Sequence, residues 1–159
     1  MKKRLVLLLF ALLILLLPSC GPSGTVRDFY SMERREPGQK EGVMWLGMTK
    51  DEQWAATGSD LSAGSMARVR YRDGTLQSMT AISKFFRPLG MRWDMKRDDI
   101  KAIFAKDPEV TVTEEPQLLT AAKTINGIVY YTRVAFYDDG VIKLFNQTTD
   151  LSMDSMEMP

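Results

Sequence analysis

The 159-residue chain contains no histidine and a single cysteine, Cys20. The first absence removes the side chain that most often serves as general base near neutral pH. Together the two remove the common zinc ligands and leave no spare thiol nucleophile. One cysteine closes no disulfide within the chain, so stability rests on a packed core. The one long apolar run, Leu5 to Leu17, spans only about 20 Å as a helix, against a hydrocarbon core of about 30 Å. It therefore predicts no transmembrane anchor. A charge excess of either sign is also missing. Setting aside Lys2, Lys3 and Arg4 from the 21 basic residues leaves 18, against 20 acidic ones. So even a balance disfavours nucleic acid as a partner. A hydrolase built on carboxylates alone stays open, although no carboxylate pair stands out, and no cofactor or metal motif is present.

What is present begins with a charged start, Lys2-Lys3-Arg4, followed by that short apolar run and by Leu17-Pro18-Ser19-Cys20. A charged segment, a short apolar segment and small residues at its end are the parts of a secretory signal. The last four residues resemble the bacterial lipobox, with a leucine three before the cysteine and a small residue just before it. Pro18 is unusual at its position. The resemblance implies that the Cys20 thiol carries a diacylglyceryl group and becomes the new N-terminus. Gly21 stands where aspartate would retain a lipoprotein in the inner membrane, which implies the periplasmic face of the outer membrane. Acyl chains contribute about 0.8 kcal/mol per buried CH₂, so two or three of them hold a soluble domain almost permanently. Residues 1–19 then read as a signal peptide and 20–41, rich in Gly, Pro, Ser and charge, as a lipidated flexible tether. The alternative is that Phe29, Tyr30 and Met32 dock on the domain or on a partner.

Two segments look alike: Met44 to Gly58, "MWLGMTKDEQWAATG", and Met91 to Ala105, "MRWDMKRDDIKAIFA". Each leads toward a strand-turn-strand signal, "ARVRYRDGTLQSM" and "TRVAFYDDGVIKLF". Thr49 with Glu52 forms a capping box, and Gly58 supplies a C-terminal stop. In the second segment Lys96 replaces the capping threonine, and Ile100, Ile103 and Phe104 share one helical face. The first segment has Gln53, Ala56 and Thr57 at those places. Strands are predicted over 66–71, 75–83, 117–125, 128–137 and 141–147, with Asn126-Gly127 as a strong hairpin signal. The expected architecture is one α+β domain of two degenerate helix-plus-antiparallel-meander repeats packed as a two-layer sandwich. Its first repeat covers 42–86, its second 87–150, and 151–159 is a disordered methionine-rich tail.

Gly47, Met48, Thr49, Glu52 and Gly58 resemble the helix signature of the SmpA/OmlA family, small outer-membrane lipoproteins that serve β-barrel assembly. The apolar places between them hold Gln53 and Thr57. A tandem of such units also resembles the β-lactamase-inhibitor architecture. These resemblances imply a non-catalytic scaffold that binds an envelope protein. An inhibitor-like module directed at an envelope enzyme is the second reading. A copper binder using Met153, Met156 and Met158 is the third, since thioethers suit Cu(I).

Arg68, Arg70 and Arg72 alternate on a predicted strand and so share one face. They form a candidate basic stripe for an acidic partner or for lipid headgroups, set against the plainer reading of a solvated strand face. Trp45 and Trp93 read as core residues. Trp54, on a weakly amphipathic helix, reads as an exposed interface aromatic.

Overall fold

The computed structural model describes residues 26–61, 66–88 and 90–153. Cys20, the apolar run before it, Met156 and Met158 lie outside them. The chain runs α1 (Val26–Phe29), β1 (Ser31–Arg34), β2 (Gly42–Trp45), α2 (Lys50–Thr57), β3 (Ala67–Arg72), β4 (Thr75–Ala81) and β5 (Phe86–Pro88). It continues through α3 (Arg97–Phe104), β6 (Thr111–Glu115), β7 (Leu118–Ile125), β8 (Ile128–Phe136) and β9 (Ile142–Thr148) to a short 3-10 turn, Leu151–Met153. Strands dominate. They form a three-stranded sheet, β2-β1-β5, and a six-stranded sheet, β3-β4-β9-β8-β7-β6, all antiparallel.

This corrects the expected α+β sandwich of two helix-plus-meander repeats: the protein is mainly antiparallel β, in two sheets. The physical reason lies in strands too short to show a period of two. β1 has four residues, β2 four, β5 three and β6 five. Part of the supposed tether is likewise ordered. Met32 is fully buried in β1, and Tyr30 stacks on Tyr130 with ring centroids 4.9 Å apart. The second sheet is assembled around β1, which pairs with β2 on one side and β5 on the other. One apolar core joins both sheets, from Tyr30 and Met32 through Met44, Met79 and Phe86 to Val134 and Phe145.

The helices carry one burial pattern with different chemistry. In α3, Ile100 and Phe104 are buried. Their counterparts one helix earlier, Gln53 and Thr57, are also buried. Burying polar groups demands partners, and these have them. Gln53 Nε2 donates to Thr57 Oγ1 at 2.6 Å and to Ser59 O at 2.9 Å, while Tyr71 OH donates to Gln53 Oε1 at 3.1 Å. Arg34, buried at the end of β1, donates from Nη1 to Thr57 O at 2.6 Å and Ser59 Oγ at 2.8 Å, and from Nη2 to Glu36 at 2.6 Å. Burial and the charge of Asp60 push the Tyr71 phenol up to about 12. A hydrogen-bonded polar plug thus replaces the apolar anchor in α2.

The α2 start is capped as its sequence predicts: Glu52 N donates to Thr49 Oγ1 at 3.3 Å, and Thr49 N to Glu52 Oε2 at 2.7 Å. Gly58 closes the helix at φ 73°. Thr49→Ala should therefore cost about 1 kcal/mol, the usual value of an N-cap side chain, read as a shift in urea midpoint. In α3 only the reciprocal half is seen, Lys96 N donating to Asp99 Oδ2 at 3.0 Å.

The loop after α3 is tied to the large sheet by Lys123, whose Nζ lies 2.6 Å from Asp107 Oδ2 and 3.1 Å from Glu109 Oε2. The hydrogen bond from Lys123 holds the Asp107 carboxyl below its usual range, and the bond to Asp107 raises Lys123. A lowered carboxyl adds stability that is complete above its unfolded value of about 4 and lost as pH falls through the folded one. Asp107→Asn should then be less stable than wild type at pH 7, with the difference vanishing by pH 2. Parallel melts across that range would check it, and a constant difference would contradict it.

Candidate functional site

The two Asp-Gly hairpins, β3–β4 and β8–β9, correspond residue by residue. Arg70 faces Ser78 and Tyr71 faces Leu76, leaving Gln77 as an extra residue in β4. In the same place of the second hairpin Ala135 faces Leu144 and Phe136 faces Ile142, leaving Lys143 extra. Both hairpins therefore carry a bulge at the equivalent position, where strand twist increases. In this correspondence Arg68 matches Arg133, Val69 matches Val134 and Thr80 matches Asn146. Thr80 and Asn146 also pair with one another across β4–β9. A pseudo-twofold axis therefore passes between them.

One face of the six-stranded sheet is closed by the core. On the other, the strand pairings set out a row of Arg68, Thr80, Asn146, Arg133, Thr120 and Thr113. Arg68 and Arg133 are symmetry mates on either side of the axis, three strand spacings or about 14 Å apart. At the axis Asn146 is fully buried and donates from Nδ2 to Thr80 Oγ1 at 3.0 Å and Ser78 Oγ at 3.2 Å. Desolvation lowers the Arg133 pKa, with the charge of Glu115 opposing it. A guanidinium nevertheless stays charged at any physiological pH.

Arg70 and Arg72 share this face with Arg68, since Val69 and Tyr71 point the other way, into the core and toward α2. Both are partly engaged by the C-terminal segment. Arg70 Nη1 donates to Met153 O at 2.8 Å, and Arg72 forms an ion pair with Asp150. Asp150 is lowered chiefly by its bonds from Ser152 and further by Arg72. Trp54 is 52% exposed on α2. Its neighbour Gln53 takes the Tyr71 hydroxyl, so Trp54 stands on the side of β3 opposite the arginines. The structure thus brings Arg68, Arg70 and Arg72 together with Arg133 and separates them from Trp54. Arg133 was not singled out from the sequence, although the repeated Arg-Val pair at 68–69 and 133–134 carried the signal.

Trp93 donates from Nε1 to Phe86 O at 2.8 Å, and Arg27 lies 4.5 Å over the Trp45 ring. Both tryptophans pack against the core. Among the described residues no three His, Cys, Asp or Glu side chains are grouped as metal ligands. The carboxylates that depart from their ordinary values, Glu52, Asp94, Asp107, Glu114 and Asp150, are all lowered by neighbouring hydrogen bonds. A general acid or base working near pH 7 needs the opposite shift. Of the three tail methionines only Met153 is described, and its carbonyl is the acceptor for Arg70. Among the described residues no helix is long and apolar enough to cross a membrane.

Compared with protein-family models, with curated proteins and with solved structures, the chain matches none.

Proposed function

We propose that this is a non-enzymatic, lipid-anchored binding protein of the bacterial cell envelope, held at the outer membrane through Cys20. Its arginine-bearing sheet face would receive an acidic protein partner. The observation that carries the reading is the pseudo-symmetric placement of Arg68 and Arg133 about Thr80 and Asn146, with Arg70 and Arg72 alongside. An interface needs a paired surface of complementary potential and no catalytic group. The lowered carboxylates favour contact over chemistry. The Leu17 to Cys20 segment supplies the anchor and the compartment. The resemblance of Gly47, Met48, Thr49, Glu52 and Gly58 to the SmpA/OmlA helix adds a reason to look for the partner among envelope assembly proteins.

Crosslinking in native membranes, followed by purification of the full chain, tests the partner. It should recover an envelope protein whose crosslinked peptides are rich in Asp and Glu and join to β3 or β8. Crosslinks confined to the α2 side would contradict the assignment of the face. The anchor has its own test. Cys20→Ser should abolish labelling by radioactive palmitate, and equal labelling of both forms would remove the lipoprotein reading.

A further inference from the structure

On the core side of the large sheet, between α1, the end of α3 and strands β7 and β8, lies a half-open groove of about 550 Å³. Its size falls in the range of small-molecule sites. Phe29, Tyr30, Met91, Ile103, Phe104 and Ala121 make its walls and floor predominantly apolar. Polar groups inside it are few. The Tyr30 hydroxyl reaches Tyr130 O only at 3.5 Å, and burial raises its pKa, so it remains a neutral donor. The rim is charged. Lys123 sits 4.7 Å over the Phe29 ring, with Asp107 and Glu109 beside it, and Lys106 stands exposed near by. Phe29 itself is 40% exposed, an aromatic at the mouth that the fold leaves half uncovered.

We infer that this groove takes one hydrocarbon chain of a membrane phospholipid, with the lipid phosphate meeting the basic rim at Lys106. The inference rests on the reading of Cys20 as the anchor. Six residues separate Cys20 from Val26, and α1 leads directly into the groove wall at Phe29 and Tyr30. At about 3.3–3.6 Å per residue, those six reach at most about 20 Å. An anchored Cys20 therefore keeps the groove mouth close to the bilayer surface, and a lipid tail is the apolar ligand at highest local concentration there. An apolar channel with a cationic rim fits a hydrocarbon tail with an anionic head. A polar metabolite would leave its hydrogen-bonding groups unmatched against these walls.

The test uses the full acylated chain in phosphatidylethanolamine and phosphatidylglycerol vesicles. A small fraction of the phospholipid carries a photoactivatable diazirine in its tail. Illumination should label peptides containing Ile103, Phe104 and Ala121. Ala121→Phe, which fills the floor, should lose most of that label. Phe29→Asp, which places a carboxylate at the rim and leaves the core intact, should lose it also, and decides the matter if Ala121→Phe does not fold. Label restricted to residues outside the groove, or unchanged in both variants, would overturn the inference. A second arm feeds cells a diazirine palmitate so that only the protein's own acyl chains carry the probe. A crosslink from the Cys20 peptide to the groove would assign it to the protein's own acyl chain and overturn the phospholipid assignment. Groove labelling by vesicle lipid without palmitate on Cys20 would support the groove and overturn the anchor. An acylated Cys20 with an unlabelled groove would overturn the groove alone.

Discussion

Phe145→Ala should lower the unfolding free energy by about 3–5 kcal/mol, the range for removing a buried aromatic side chain. Phe145 is fully buried at the centre of β9 and meets the edge of Trp93 with ring centroids 5.0 Å apart and planes at 82°. It pairs with Ala81 on one side and Val134 on the other. The position matters beyond its area. Within the six-stranded sheet, β4–β9 pairing is what attaches the first hairpin to the remaining strands. Truncation leaves a cavity at that junction, and Trp93 loses its edge-to-face partner. A domain of this size has about 5–15 kcal/mol in total, so the variant should retain a fraction of it. Urea melts should show a large fall in midpoint with the slope preserved. An unchanged midpoint would mean that the two hairpins are held together by something other than this contact.

Gly42→Ala should cost as much through the opposite fault. A methyl group at Gly42 would lie 2.0 Å from Ala56 O and 2.8 Å from Ala56 C. Those atoms are helix backbone, which cannot swing aside as a flexible side chain can. Either β2 slides along β1, where Gly42 faces Arg34, or α2 moves outward. Outward movement would pull Thr57 O and Ser59 from the Arg34 guanidinium and leave a buried cation short of acceptors. Overpacking ordinarily costs about 1–3 kcal/mol, and the backbone clash with its coupled polar plug places this substitution at or above the top of that range. Gly140→Ala is the comparison. No atom lies within 4 Å of its added methyl, and only the left-handed backbone, at φ 80°, opposes it. That carries a cost of about 1–2 kcal/mol. A Gly42→Ala protein as stable as Gly140→Ala would show that β2 and α2 are not in contact as described.

The elements that were legible in the sequence are those with local signals. The Asp73-Gly74 and Asn126-Gly127 turns adopt the positive φ that their residues predict. The strands on either side of them follow, within a few residues at each end. The helices α2 and α3 begin where Thr49 and the Asp98-Asp99 pair indicate. The small sheet was not legible, and this is why the fold class came out too helical. β1 reads Ser-Met-Glu-Arg, and an arginine at its end argues for solvent. Arg34 is buried because acceptors from residues 57 and 59 meet it there. Only tertiary structure brings those residues together. β5 ends on a proline and β6 is almost wholly exposed, so neither shows an apolar alternation. At the candidate face, the alternation of Arg68, Arg70 and Arg72 was legible because a period of two is local. Their relation to Arg133 depends on the β4–β9 pairing between hairpins, which no local pattern encodes. The exposure of Trp54 was also legible, but not its separation from the arginines.

The central claim is that the arginine face captures an acidic partner. It is tested most directly by replacing Arg68, Arg70 and Arg72 together with glutamate in the full chain and measuring partner capture from detergent-solubilised membranes. The pair lost with Asp150 is exposed and contributes at most about 1 kcal/mol, so the thermal melt should stay nearly unchanged. Capture by the wild type should fall as salt is added, because exposed charges are screened over about 8 Å at physiological ionic strength. Capture by the triple variant should be lost even at low salt. Full capture by a folded triple variant would contradict the claim and leave these arginines as solvated surface.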